Sequence, residues 1–264
     1  MSQDQKSILP DVITPVSDAV QANLPETAKQ TDGALSTVVG FFNNVVLYPV
    51  KKANLTFRYK LEAFEDDLRE KIKGIPDEHL QVPPTMIAGP TLEALRYTYD
   101  EEKLREMYEN LLASAMDSRK VSQAHPAFVD AIKQMSPLDA KVLSLIVSET
   151  QLPCGEIQFV VSETSMVYLH GMPVHFVVEL SELGDPFAIS TSITNLERLH
   201  LIRILDGAVN KVDYESMKLH PYVLSRKEIF DKFGEKIEIT LKKRAITLDD
   251  YGKQFAAICL AKEV

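Results

Sequence analysis

The side chains best suited to chemistry are few in this chain, and their spacing is poor for it. Cys154 and Cys259 are its only cysteines, which gives neither a disulfide framework nor a CxxC metal knuckle and suits a reducing compartment. In LPCGE, Cys154 follows a predicted helix and is expected at the surface, yet no basic residue or helix N-terminus stands near it in sequence to activate the thiol. Cys259 lies in an apolar helical stretch and reads as core. His170 and His175 fall in strand-like sequence, where a separation of five puts them on opposite faces and lacks the spacing of a zinc motif. Each is expected to be a satisfied structural histidine. The neighbouring pairs Asp66–Asp67 and Asp249–Asp250 would diverge on a helix, so a carboxylate pair sharing a proton is not expected. No P-loop or GxGxxG sequence is present. The expectation is therefore a non-enzymatic protein with no catalytic, cofactor-binding or metal residues.

The bulk properties limit the alternatives. Of 264 residues, 45% are hydrophobic and 25% charged, which is ordinary globular usage and enough to bury a core. A net charge of -9 argues against a surface that attracts nucleic acid throughout, although a local basic patch stays open. The first twenty residues lack the basic start and apolar run of a secretory signal, so a cytoplasmic protein is expected. The stretch ALSTVVGFFNNVVLY, residues 34–48, would make a helix about 22 Å long against a hydrocarbon core of about 30 Å, and it carries Asn43 and Asn44 near its middle. It should not span a bilayer.

Along the chain, residues 1–33 are polar and broken by Pro10, Pro15 and Pro25, and read as a flexible tail. Asp32 is placed to cap a helix that Pro49 ends. Next, Phe57, Leu61, Phe64, Leu68 and Ile72 form one helical stripe, stopped by Gly74 and Pro76. VPPTMIAGP reads as a connector before TLEALRYTY, and Asp100 as the N-cap of a helix carrying Leu104, Met107, Leu111 and Ala115. Pro126 opens a short helix. Ser136, Pro137 and Asp139 make a firm start for SPLDAKVLSLIVSE. Four or five helices are thus expected before residue 150. From Glu156 the period shifts to two through Ile157, Phe159 and Val161, and PVHFVVEL is rich in β-branched residues, so strands are expected. Ile189, Ile193, Leu196 and Leu199 restore helical spacing, LIRIL follows as a strand, and KKRAITLDDYGKQFAAICLA reads as a strand entering a helix capped near Asp249. His200 sits where the backbone leaves helix for strand, a place that often needs positive φ.

These readings give a mainly α fold with a small β component (α+β): a flexible tail at 1–33, an N-terminal helical bundle at 34–135, and a winged-helix-like module with a small sheet at 136–264.

The segments FFNNVVLYPVKK, IAGPTLEALRYT, LREMYENLLASAMD, HPAFVDAIKQMSPLDAKVL and TNLERLHLIRI resemble the Abi-alpha family, bacterial proteins associated with abortive infection, in which an infected cell stops growing or dies before phage can spread. The matching pieces fall within residues 34–205. The resemblance implies a role in antiphage defence and carries no catalytic residue with it.

Two contact surfaces are expected. Phe41, Phe42, Val45 and Val46 precede Lys51, Lys52, Arg58 and Lys60 without an intervening acid, an arrangement that can pack on a protein partner or lie at the inner membrane surface. Packing of the same apolar residues against the other helices is favoured over a membrane contact, since buried helices commonly have this composition. The exposed face of the helix in TSITNLERLHLIRIL would present Thr191, Thr194, Asn195 and Arg198, residue types able to contact bases or phosphates. Residues 185–264, however, hold 13 Lys and Arg against 12 Asp and Glu, a net of +1. A protein partner or self-association is accordingly favoured over a DNA-binding regulator.

Overall fold

The computed structural model describes residues 33, 34, 36, 37, 55–149, 151–161, 167–169, 171–232 and 237–260. The expectations for residues 1–32, for Asp32 as a cap and for Phe41, Phe42, Val45, Val46, Lys51 and Lys52 fall outside them. The helices are α1 (Leu55–Ile72), α2 (Thr85–Thr98), α3 (Glu102–Ala115), α4 (Ala127–Lys133), α5 (Pro137–Ser148), α6 (Pro186–Arg198), α7 (Pro221–Asp231) and α8 (Asp250–Cys259). The strands are β1 (Leu152–Val161), β2 (Val167–Leu169), β3 (Ile202–Asp206) and β4 (Ile237–Leu248), in the order β2-β1-β4-β3 with every neighbouring pair antiparallel. The protein is mainly helical with one small antiparallel sheet.

The predicted stripe on α1 buries Phe64, Leu68 and Ile72, and the stripe on α3 buries Leu104, Met107, Leu111 and Ala115. α3 packs against α1, α2, α4, α5 and α8, which puts it at the middle of the helices. The larger core runs from Phe64 through Leu111, Leu143 and Ile193 to Phe255, drawing on both sides of residue 135. Ser136 and Asp139 form a full capping box at the start of α5: each side chain accepts from the other's backbone N–H, at 3.1 and 2.7 Å. A box of this kind is worth about 1 kcal/mol.

β1 serves two cores through its alternating faces. Leu152 and Cys154 enter the larger core, while Ile157 and Phe159 enter a smaller one with Phe176, Tyr214, Met217, Val223 and Ile237. Gly155 makes the second packing close. A Cβ there would stand 2.8 Å from Leu241 Cδ1 and 3.0 Å from Met217 Sδ.

Several expectations need correction. VPPTMIAGP is not a connector throughout: α2 begins at Thr85 and continues through Pro90. Burial of Ile87, Ala88, Thr91 and Leu92 outweighs the backbone hydrogen bond that Pro90 cannot donate. Asp100 does not cap α3; Glu101 holds that position without a side-chain bond, and Asp100 instead accepts from Lys60 Nζ at 2.6 Å. PVHFVVEL does not form a regular strand. Phe176 makes a single bridge to Gly155, and Val178–Leu183 then coil into a 3-10 helix, with Val177 and Leu180 buried. α7 and the 3-10 helix Tyr214–Leu219, between β3 and β4, have no counterpart in the sequence reading.

Candidate functional site

The α6 face and the adjoining sheet bring together the predicted nucleic-acid contacts. Asp185 caps α6 by accepting from Ala188 N at 3.0 Å, and Pro186 occupies the first turn. Ile189, Ile193 and Leu196 are buried beneath the helix, which leaves Thr191, Thr194 and Arg198 exposed and Asn195 half-buried. All four are engaged within the protein. The Thr191 and Thr194 hydroxyls donate to the carbonyls of Phe187 and Ser190, both at 2.9 Å. Asn195 Nδ2 donates to Gln134 O and to Asp139 Oδ2, both at 2.9 Å, so it ties α6 to the start of α5. Arg198 donates to Asn195 Oδ1 through Nη2 at 2.7 Å and to Gln134 Oε1 through Nη1 at 3.0 Å. The threonine and arginine interactions lie at the surface, and water can replace them when a ligand arrives; Asn195 is the structural member.

His200 ends α6 at φ 57°. Leu201 N then donates to Leu196 O at 3.0 Å and His200 N to Glu197 O at 2.9 Å, so the left-handed residue satisfies carbonyls that the helix would leave open. Directly beneath, α8 approaches so closely that a Cβ on Gly252 would fall 1.8 Å from Leu201 O.

β4 carries three consecutive cations, and carboxylates lie against each of them. Lys242 Nζ lies 2.9 Å from Asp206, Lys243 Nζ 3.6 Å from Glu215, and Arg244 pairs with Glu156 and, at 3.4 Å, with Asp206. Hydrogen bonds from Lys242 and Lys218 hold the carboxyls of Asp206 and Glu215, respectively, below the usual range. The cations of this surface are thus largely neutralised by their neighbours.

Cys154 is fully buried on β1 opposite Arg244, contrary to the expected surface position. The alternation of β1 turns it into the larger core, and burial pushes its thiol up to about 12 despite the nearby guanidinium. Cys259 is also fully buried, as expected, with its thiol raised for the same reason. Neither environment favours a thiolate. His170 lies outside the described residues. His175 is buried at 7% exposure; its backbone N–H donates to Ser190 Oγ at 3.1 Å, but Nδ1 has no hydrogen-bond partner among the described residues. It is structural without being satisfied. Asp249 caps α8, a role its sequence position indicated. Among the described residues, no group of three His, Cys, Asp or Glu side chains is arranged to hold a metal ion. Among the same residues, no helix is long and apolar enough to cross a membrane.

A mainly helical α+β protein whose polar α6 face is bonded to its own scaffold is the class these features define. The chain belongs to the abortive infection alpha family, whose model matches residues 56–259. No curated protein and no solved structure matches it.

Proposed function

We propose that this protein is a non-enzymatic effector of abortive infection, acting in the cytoplasm through contacts with a protein partner or a second copy of itself. Family membership supports the defence role. The observation that carries the mechanism is the pairing of Lys218, Lys242, Lys243 and Arg244 with Asp206, Glu215 and Glu156, which leaves one positive charge uncompensated in the group to attract phosphates. The segment between β3 and β4 exposes Leu219 at 70% and Ile229 at 46%. Apolar side chains on an ordered surface suit a protein contact better than a nucleic acid. The segment Phe41, Phe42, Val45, Val46, Lys51 and Lys52 adds a second partner surface or a peripheral contact with the inner membrane, on the strength of its sequence alone.

The second reading is a winged-helix DNA-binding regulator. It is supported by the order α5, β1, β2, 3-10 helix Val178–Leu183, α6, β3, β4 and by the β2-β1-β4-β3 sheet, in which the 3-10 helix Tyr214–Leu219 and α7 stand between β3 and β4 in place of a short wing. Thr191, Thr194 and Arg198 would then face the groove. The same framework serves protein contacts in the preferred reading.

Expression in a phage-susceptible bacterium tests the defence role. Plaque numbers should fall while cells infected at high phage dose still stop growing. Infected cells that survive and divide would overturn abortive infection as the mechanism.

A further inference from the structure

β3 is a terminal strand of the sheet, and the phase of its hydrogen bonds is fixed at both ends. Gly207 N donates to Lys243 O at 3.0 Å and Asp249 N to Leu201 O at 3.2 Å, in the register that pairs Arg203 with Thr247 and Leu205 with Ala245. Antiparallel neighbours exchange bonds at every second residue. Leu201, Arg203, Leu205 and Gly207 therefore turn their backbone groups toward β4, and Ile202, Ile204 and Asp206 turn theirs away from it. Among the described residues, no hydrogen bond reaches those outward N–H and C=O groups. β1 shows what such groups do beside another chain segment: Gly155, also turned away from β4, exchanges bonds with Phe176 at 2.8 and 2.9 Å.

Edge strands are usually protected from pairing by free charges, proline or a bulge. β3 contains no proline, and its register with β4 runs unbroken from Ile202 to Asp206. Its two charged side chains are engaged within their own sheet: Arg203 lies 3.5 Å from Asp249, and Asp206 lies 2.9 Å from Lys242 and 3.4 Å from Arg244. Ile202 belongs to the larger core and Ile204 packs half-buried against it, whereas Leu205, on the opposite face, is exposed.

We infer that the outer edge of β3 pairs antiparallel with β3 of a second copy, Ile204 opposite Ile204, so that one sheet runs through both molecules. This rests on the reading that the protein acts through protein contacts, and it names one of them. The occupant follows from the strand itself. Centring on Ile204 sets outward residue against outward residue: Ile204 meets Ile204, and Ile202 meets Asp206 on either side, three pairs that each exchange two hydrogen bonds. Leu205 then lies opposite Arg203 of the second copy, whose aliphatic stem covers it. The Arg203 end of each strand comes beside the Asp206 end of the other, and no charge stands directly opposite a like one. Centring one residue earlier would set Arg203 against Arg203, and one residue later would leave Ile202 unpaired.

Sedimentation of the full chain from about 1 to 300 μM is the test, since so short an edge buries less than a standard interface and gives a weak, concentration-dependent dimer. Wild type should pass from monomer toward dimer across that range. Ile204→Pro deletes an outward N–H that the protein's own sheet does not use, so the fold should persist by circular dichroism while association weakens roughly tenfold or more. Ile204→Cys gives a readout independent of that variant. Its Cα atoms would stand about 5.5 Å apart across the pair, so mild oxidation with diamide should link two copies. The native Cys154 and Cys259 are buried, and wild type should not link under the same treatment. The inference is overturned if wild type stays monomeric, which would leave the edge to an extended segment of another protein. It is equally overturned if folded Ile204→Pro associates as wild type does, or if Ile204→Cys does not cross-link. A dimer lost in Ile204→Pro with plaque reduction intact upholds the pairing and overturns self-association as the route to defence.

Discussion

Asn195 and Asp139 meet across α5 and α6: Asn195 Nδ2 donates at 2.9 Å to the carboxylate oxygen that also accepts from Ser136 N at 2.7 Å. One oxygen thus completes a helix cap and links a second helix to it. Asn195→Ala should cost about 1 to 2 kcal/mol, because Gln134 O and Asp139 lose a donor and Arg198 loses the acceptor Oδ1, the last at the surface where water replaces it. Asn195→Asp should cost more, since it sets a carboxylate against Asp139. Chemical denaturation would measure both. If both variants are as stable as wild type, Asn195 is not the structural member of this face.

Gly252 and His200 meet the same bend from opposite sides. Gly252→Ala would push a methyl into Leu201 O, and backbone cannot rotate away as a side chain can. A loss of about 3 kcal/mol is expected, at the upper end for overpacking, with reduced soluble yield. His200→Gly should stabilise by up to about 1 kcal/mol by relieving its left-handed backbone, and His200→Val should destabilise. Thermal melts that rank His200→Val above His200→Gly would contradict this account of the bend.

Local signals made much of this fold readable in advance. Ser136, Pro137 and Asp139 announce α5 because a cap is chemistry between residues three apart, and the spacing of Leu104, Met107 and Leu111 announces α3 for the same reason. The need for positive φ at His200 followed from its place between a helix and a strand. What could not be read depends on distant partners. Pro90 stays helical because of what α2 packs against, Phe176 bridges only where Gly155 offers its backbone, and Cys154 faces inward because of the register of β1 on β4. At the candidate site, the residue types on α6 were legible, but their bonds to Gln134 and Asp139 were not, since those groups lie about sixty positions earlier.

His175 should make stability sensitive to acid. Burial lowers its pKa first, and Arg244 lowers it further against the opposing pull of Glu197 and Glu156. The unfolded chain therefore takes up a proton before the folded one does. The contribution is fully present above the unfolded value of about 6.5 and is lost as pH falls from there toward the lower folded value. Glu109 and Glu179, raised by burial, act in the opposite direction over a window that runs upward from their ordinary value of 4.5, and they do so equally in wild type and in a His175 variant. Between about pH 6.5 and 5, wild type should lose stability more steeply than His175→Leu. Parallel profiles of denaturation midpoint against pH would remove His175 as the cause.

The ion pairs on the sheet give the sharpest separation of the protein-contact reading from the DNA reading. Purified wild type is expected to show no measurable retention of duplex DNA at physiological salt, since Lys242, Lys243 and Arg244 are matched by Asp206, Glu215 and Glu156. Asp206→Lys with Glu215→Lys removes two of the three acids at exposed positions and turns the surface basic, with little consequence for packing. That double variant should acquire DNA retention that falls steeply as salt rises, because the new attraction would be counterion release alone and independent of sequence. Arg198→Glu, introduced into it, should weaken retention if α6 lies on the same basic surface and leave it unchanged otherwise. Electrophoretic shift of a duplex across a salt series reads all three proteins. Tight, salt-dependent binding by wild type, weakened by Arg198→Glu alone, would instead establish the regulator reading and retire the proposal that this face meets protein.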